Sequence, residues 1–128
     1  MLRPMPHQTV ILRHQLPDGS VHYDWLLAVD EPPKKNLLSW RCVKRPDFIP
    51  VGGGVRVERM ADHRPIYLEY EGPISADRGS VERLAEGWWS PIGELDVATK
   101  SLSLAVEWLG ELLREHWVID AHEARRLQ

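Results

Sequence analysis

Val10–Leu27, with the sequence VILRHQLPDGSVHYDWLL, is the stretch that decides the fold, and it predicts a β-hairpin. Its centre is Pro17-Asp18-Gly19. Proline presets φ for the first turn position, aspartate suits the second, and glycine supplies the left-handed residue that closes a three-residue loop. With this loop the facing pairs are Leu16 with Ser20, His14 with His22, and Leu12 with Asp24.

His14, His22 and Asp24 are expected to project from one side of this hairpin, because residues two apart on a strand share a face. Cross-strand neighbours have Cβ atoms about 5 Å apart, and a divalent ion with ligand bonds of about 2.0–2.2 Å fits between them. The hairpin therefore predicts a three-ligand metal site with open positions for substrate. The alternative is three polar side chains on a solvated face, and a register slip of one residue would move His14 to the other face.

Length and composition predict a soluble globular protein. The chain has 128 residues, of which 43% are hydrophobic and 27% charged, which is ordinary for that class. This length suits a single domain over residues 1–128 and is too short for two. The formal net charge of −3 argues against strong non-specific nucleic-acid binding, so any such contact is expected from a local patch.

Cysteine usage and hydropathy predict the compartment. Cys42 is the only cysteine, which excludes an internal disulfide and suits a reducing environment. Residues 1–7 lack the apolar segment of a signal peptide. No run approaches the roughly 20 apolar residues of a membrane span. We therefore expect a cytoplasmic protein with no membrane partner.

Turn residues divide the rest of the chain into short segments that favour strands. The predicted strands are 37–43, 55–60, 66–71 and 79–84, and Glu86-Gly87 is predicted to turn into Trp88-Trp89. About eight short strands predict an all-β fold, a compact antiparallel β-barrel with little helix. The six tryptophans are expected to fill its core.

Residues 101–119 fit both a helical stripe and a strict alternation, so periodicity alone does not decide between a helix and a hairpin. Gly110 weakens a helix by roughly 1 kcal/mol, and Trp117-Val118-Ile119 is rich in β-forming residues. We therefore expect two strands around Gly110, followed by a short helical or frayed tail from Ala121.

Several short motifs follow one another in an order that resembles a known family. They are His14, His22-Tyr23-Asp24, Leu38-Ser39-Trp40, Asp62-His63, Tyr67, Tyr70-Glu71-Gly72, Gly79-Ser80-Val81, Gly87-Trp88-Trp89 and the block from Gly110-Glu111 to Trp117. Together they resemble the 3′-phosphoesterase domain of bacterial DNA ligase D, an enzyme of non-homologous end joining. The resemblance covers about residues 9–120, so the chain looks like a stand-alone version of that domain.

The resemblance implies a compact β-barrel that acts on the 3′ ends of DNA or of an RNA–DNA primer-template. Such a domain removes a 3′-terminal ribonucleotide and then the 3′-phosphate, with manganese as the preferred metal. Carried over by motif, His14, His22 and Asp24 would hold the metal, while His63 and Tyr67 would contact the phosphate as catalytic residues. Imidazole and carboxylate ligands suit Mn²⁺ and also Zn²⁺. Separate ligase or polymerase proteins would be the partners.

Leu26 is the main departure from the family pattern, which has a phosphate-binding arginine at this position. Leu26 lies on the strand face of His22 and Asp24, and leucine cannot replace the bidentate, permanently charged guanidinium. Arg13 is expected on the opposite face, which leaves Arg41 and Arg64 as candidate substitutes. The segment between Gly72 and Gly79 is also shorter than in the family.

Two further interpretations stay open. The chain could be a catalytically weakened or inactive relative that serves as a metal-containing module for binding nucleic acid or protein, with tryptophans as stacking surfaces. From the residue types alone, His22-x-Asp24 with the distant His63 also matches the two-histidine, one-carboxylate ligand set of non-haem iron oxygenases. The other motifs favour the phosphoesterase.

Overall fold

The computed structural model describes residues 5–93 and 101–128, and these form nine strands and two short 3₁₀ helices. The strands are β1 (His7–Gln15), β2 (Val21–Leu27), β3 (Leu37–Cys42), β4 (Gly54–His63), β5 (Gly72–Pro73), β6 (Ser80–Pro91), β7 (Ser101–Trp108), β8 (Glu115–Asp120) and β9 (Glu123–Arg126). The 3₁₀ helices are Pro46–Phe48 and Pro65–Leu68. No helix in these residues is long and apolar enough to cross a membrane.

The strands close into a ring. Hydrogen-bonded neighbours follow the order β1-β2-β3-β4-β9-β8-β7-β6, and β6 also pairs with β1. The short β5 pairs with the first two residues of β6 beside this ring of eight strands. All of these pairings are antiparallel. The predicted all-β, barrel-like fold is therefore confirmed.

The β1–β2 hairpin has the predicted register, with Leu12 opposite Asp24 and His14 opposite His22. Gly19 has a φ of 88°, as the turn requires. The Asp18 carboxylate accepts hydrogen bonds from the backbone N–H and the hydroxyl of Ser20, at 2.9 and 2.6 Å. These bonds favour the charged carboxylate and lower the pKa of Asp18 below its ordinary value of 3.8. The turn therefore contributes stability that is lost when the pH falls through that lowered pKa.

Apolar side chains from all eight ring strands fill the interior. Among the largest, Trp25, Trp89 and Trp117 are fully buried. Buried indole N–H groups need acceptors, and Trp89 donates to the carbonyl of Ala28 while Trp117 donates to the carboxylate of Glu115, each at 2.8 Å. Five of the six tryptophans are buried, so the expectation that they form the core is confirmed for all except Trp88.

A second apolar cluster lies on the outer face of β1, β2, β3 and β6. We call it the outer cluster; its buried members are Val10, Leu12, Leu26, Ala28, Leu37, Leu68 and Val81. Tyr67, Tyr70 and Ile74 pack against it. Residues 65–74 therefore form a cover over the outer face of the hairpin, which keeps that face out of water.

The predicted strand at 66–71 is wrong, because the chain instead forms the 3₁₀ helix Pro65–Leu68. Pro65 has no N–H for a strand ladder and favours the first turn of a helix. Leu68 is buried in the outer cluster, whereas Ile66 is 57% exposed, so these two residues do not share one buried strand face. Tertiary burial of Leu68 decides the local structure.

Two smaller predictions are also wrong. Glu86-Gly87 does not form a turn, because β6 continues through both residues. Gly87 lies so close to the backbone of Glu107 and Trp108 on β7 that a Cβ would not fit there. The tail after Ala121 is not helical or frayed, since it forms β9 between β4 and β8. The hairpin around Gly110 is confirmed, because β7 and β8 flank it.

Replacement of Leu26 by arginine tests the outer cluster. Leu26 is fully buried there, so Leu26→Arg places a guanidinium in an apolar site and is expected to lower the free energy of unfolding by about 2–4 kcal/mol. Leu26→Met, which conserves volume, is expected to cost less than about 1.5 kcal/mol. Urea unfolding of both variants measures the difference. Equal stability of the two would contradict burial at this position.

Candidate metal centre

Three potential metal ligands meet on the outer face of the hairpin. Nδ1 of His14 lies 3.0 Å from Nε2 of His22, which lies 3.2 Å from Oδ1 of Asp24; Oδ2 of Asp24 is 3.6 Å from Nδ1 of His14. Two ligands of one ion with bonds of about 2.1 Å lie about 3.0–3.4 Å apart, for octahedral and tetrahedral angles respectively. The cluster of His14, His22 and Asp24 could therefore hold a metal ion with little rearrangement.

A backbone hydrogen bond orients the first of these ligands. Nε2 of His14 lies 2.7 Å from the carbonyl oxygen of Arg78, which can only accept a hydrogen bond. The neutral ring therefore carries its proton on Nε2 and directs the lone pair of Nδ1 towards His22 and Asp24. Such a bond to the outer nitrogen is the usual way in which proteins fix the tautomer and the orientation of a histidine that binds metal.

The electrostatics of the cluster also favour a cation. Asp24 is 3% exposed and His22 8% exposed. Within the described residues, no lysine or arginine lies within ion-pair distance of the Asp24 carboxylate, which contacts only the two imidazoles. A buried carboxylate is costly without a compensating charge. A divalent ion between the three side chains would supply that charge.

The cluster opens onto a cleft of about 290 Å³. His14 and Asp24 line this cleft, and so do His63, Arg64 and Tyr67. Both residues that the sequence assigned to phosphate binding, His63 and Tyr67, thus lie on the same cleft as the predicted ligands. His63 ends β4, and Tyr67 belongs to the 3₁₀ helix that starts at Pro65.

His63 presents one free ring nitrogen. Its Nδ1 lies 3.2 Å from the carbonyl oxygen of Ala61, so Nδ1–H donates to that oxygen and Nε2 has no partner among the described residues. The ring packs edge-on against Tyr67, with the centroids 5.6 Å apart. His63 is not in the ligand cluster, so the alternative set of His22, Asp24 and His63 does not form; His14 is the third member.

Two arginines line the cleft. Arg64 is one of the two candidates from the sequence, and its guanidinium carbon lies 5.9 Å from the centre of the Tyr67 ring. Arg78 is the second and was missed by sequence reasoning. Its guanidinium donates to the backbone carbonyl and the hydroxyl oxygen of Ser75, at 2.8 and 3.2 Å. Among the described residues, no carboxylate pairs with either arginine.

Arg41 and Leu26 occupy other positions. Arg41 lies opposite Asp24 on β3 but does not line the cleft, and its buried Nε has no hydrogen-bond partner in the described part of the chain. Leu26 shares the strand face of Asp24, as expected, but its side chain belongs to the outer cluster and does not line the cleft.

Cys42 is not a candidate nucleophile. It is fully buried in the interior cluster. Burial raises the pKa of its thiol, and the negative charge of Asp24 adds to this effect. The thiolate, which is the reactive form, is therefore suppressed.

Removal of a ligand tests the metal centre. We expect Mn²⁺ at 100 times its dissociation constant to raise the free energy of unfolding of the parent protein by about 2.7 kcal/mol, and His14→Ala to abolish this effect. His122→Ala, which removes an exposed histidine outside the cluster, is the matched control and should keep it. Calorimetric titration measures Mn²⁺ binding by the three proteins, and thermal unfolding with and without Mn²⁺ measures the stabilisation. A His14→Ala protein that binds Mn²⁺ like its parent would contradict the assignment.

Comparison of the chain with protein-family models and with curated proteins finds no match. The resemblance to the phosphoesterase domain of DNA ligase D therefore stays a prediction from the quoted motifs, and a function for this chain has to be argued from the geometry of the cleft.

Proposed function

We propose that this chain is a metal-dependent phosphoesterase that acts on the 3′ ends of nucleic acid and removes a 3′-phosphate or a 3′-terminal ribonucleotide. One observation carries the proposal: His14 and Asp24 of the potential metal-ligand cluster line the same cleft as four groups able to contact a phosphate. The latter are His63, Arg64, Tyr67 and Arg78. This combination suits an anionic ester placed beside a cation.

The chain's own residues have separable roles in this proposal. Arg64 and Arg78 bind the phosphate through charged hydrogen bonds, and the Tyr67 hydroxyl orients one of its oxygens. His63 keeps its Nδ1–H on the Ala61 carbonyl. Its protonated form therefore offers an N–H at Nε2 to a phosphate oxygen or to the leaving group. A bound divalent ion would supply Lewis-acid activation and a bound water of lowered pKa.

Mn²⁺ is the metal that we propose, with Zn²⁺ as the alternative. Two imidazole nitrogens and one carboxylate oxygen suit both ions. The implied setting is the repair of DNA ends in the cytoplasm, with separate ligase or polymerase proteins as partners. The isolated and buried thiol of Cys42 is compatible with such a reducing compartment.

The second candidate is a metal-containing binding module without catalysis. The position of Leu26 favours it, because the side chain is fully buried and brings no cation to the cleft. A strand-held arginine would be oriented by the barrel, whereas Arg64 and Arg78 lie after the end of β4 and before the start of β6. Activity measurements separate the two candidates.

The direct test uses the purified protein with Mn²⁺ and a primer-template that ends in a 3′-phosphate or in one ribonucleotide. We expect conversion to a 3′-hydroxyl that requires Mn²⁺. His63→Ala should lower the rate at least about 100-fold, as is typical for loss of a general acid, while it still binds Mn²⁺. Metal binding by the parent protein without any turnover would reject the enzyme and support the binding module.

The two arginines make a second prediction. A hydrogen bond to a charged group contributes about 1.5–3 kcal/mol, so Arg64→Ala and Arg78→Ala should each lower kcat/KM at least about tenfold. Arg78→Ala keeps the backbone carbonyl that binds His14, so its Mn²⁺ affinity should equal that of the parent. Arg56→Ala, an exposed arginine on β4 outside the cleft, is the control. Parental kcat/KM in both cleft variants would contradict a phosphate-binding role.

A further inference from the structure

A second hollow of about 240 Å³ adjoins the metal cleft. The two share Arg64, Tyr67 and Ile74 as lining residues, so they lie next to each other against the same side chains. The second hollow is also lined by Ile66, Tyr70 and Pro73, and by Ser75, which accepts hydrogen bonds from Arg78. Neither the metal nor the phosphate chemistry proposed above uses Ile66, Tyr70 or Pro73.

The second hollow presents apolar and aromatic surface. The rings of Tyr67 and Tyr70 meet nearly at right angles, with centroids 6.0 Å apart. The Tyr70 hydroxyl donates to the carbonyl oxygen of Pro73, which satisfies its donor within the chain. Ile66 exposes more than half of its side chain beside them. This surface suits a flat, weakly polar group more than a charged one.

The charge lies at the boundary between the two hollows. Arg64 lines both and pairs with no carboxylate among the described residues, and Arg78 lines the metal cleft only. A ligand that spans both hollows is therefore expected to be anionic at the metal end and planar at the other. Each hollow alone is smaller than the roughly 300–1,000 Å³ of typical small-molecule pockets, which favours a ligand that occupies both.

We propose that the second hollow holds the nucleoside of the terminal nucleotide whose 3′-phosphate enters the metal cleft. This inference rests on the proposed function and names the part of the substrate that the site recognises. Bases stack on tyrosine in a sequence-tolerant way, because every base has a π-face. A base held against Tyr70 and Ile66 is out of the helical stack. The substrate is therefore a frayed or single-stranded 3′ terminus.

The experiment compares two ligands that carry a P–C bond and are not hydrolysed. One is thymidine with a phosphonomethyl group at its 3′ carbon, and the other is methylphosphonate, which lacks the nucleoside. Calorimetric titration of the Mn²⁺-loaded protein should show at least about fivefold tighter binding of the thymidine ligand, which corresponds to the weaker end of base stacking on an aromatic side chain. A phosphoserine peptide is titrated as the competing class of ligand.

Variants of the second hollow sharpen the test. Ile66→Ser alters an exposed side chain, and Tyr70→Leu removes the aromatic face. In each variant the ratio of the affinity for the thymidine ligand to the affinity for methylphosphonate should fall towards one. Continued binding of methylphosphonate shows that the variant is folded. Leu112→Ser, at a 95% exposed leucine between β7 and β8, should keep the full preference. Equal affinity of the parent for both ligands, or tighter binding of the phosphoserine peptide, would overturn the nucleoside site alone. Failure to bind either phosphonate would overturn the proposed function with it.

Discussion

Seven residue pairs join β1 to β2, from Thr9 with Leu27 to Gln15 with Val21, and this register sets both faces of the hairpin together. Because side chains alternate along a strand, the pairing that turns Ile11 and Trp25 into the interior also turns His14 and Asp24 outwards. A slip of one residue would exchange the two faces, so that the polar ligands would enter the core and the tryptophan would leave it. The burial of Trp25 therefore stabilises the position of the three potential metal ligands, although Trp25 is not itself one of them.

The outer cluster connects this hairpin to the rest of the site. In many barrels the outer face of a strand meets water, but here residues 65–74 bury it, with Leu68 in the cluster and Tyr67 packed against its edge. Tyr67 and Ile74 of this cover also line the cleft, together with His14 and Asp24. The position of Leu26 follows from the same arrangement. Its side chain packs in the outer cluster and stabilises the cover that includes Tyr67, so this strand position carries no cation.

The local charge of the site differs from that of the whole chain. The chain carries a formal net charge of −3, yet the cleft brings two arginines without carboxylate partners among the described residues next to a cluster that favours a cation. The buried Asp24 explains why the cluster favours a cation, because among the described residues its carboxylate pairs only with the imidazoles of His14 and His22. The placement of a few charged side chains therefore gives the cleft a local character that the net charge of the chain does not predict.

Local chemistry made the hairpin predictable. The turn residues determine the loop, and His14 and His22 are only eight positions apart, so the sequence by itself determined the all-β class, the register and the clustering of His14, His22 and Asp24. The remainder depends on contacts between distant parts of the chain. The hydrogen bond from His14 to the Arg78 carbonyl joins residues 64 positions apart. Strand β9 forms because it pairs with both β4 and β8. Residues 65–68 form a 3₁₀ helix because Leu68 is buried, and they do not follow strand alternation. Only the tertiary structure could decide these features, because hydrophobic burial and ring closure act between segments whose separation no local pattern encodes.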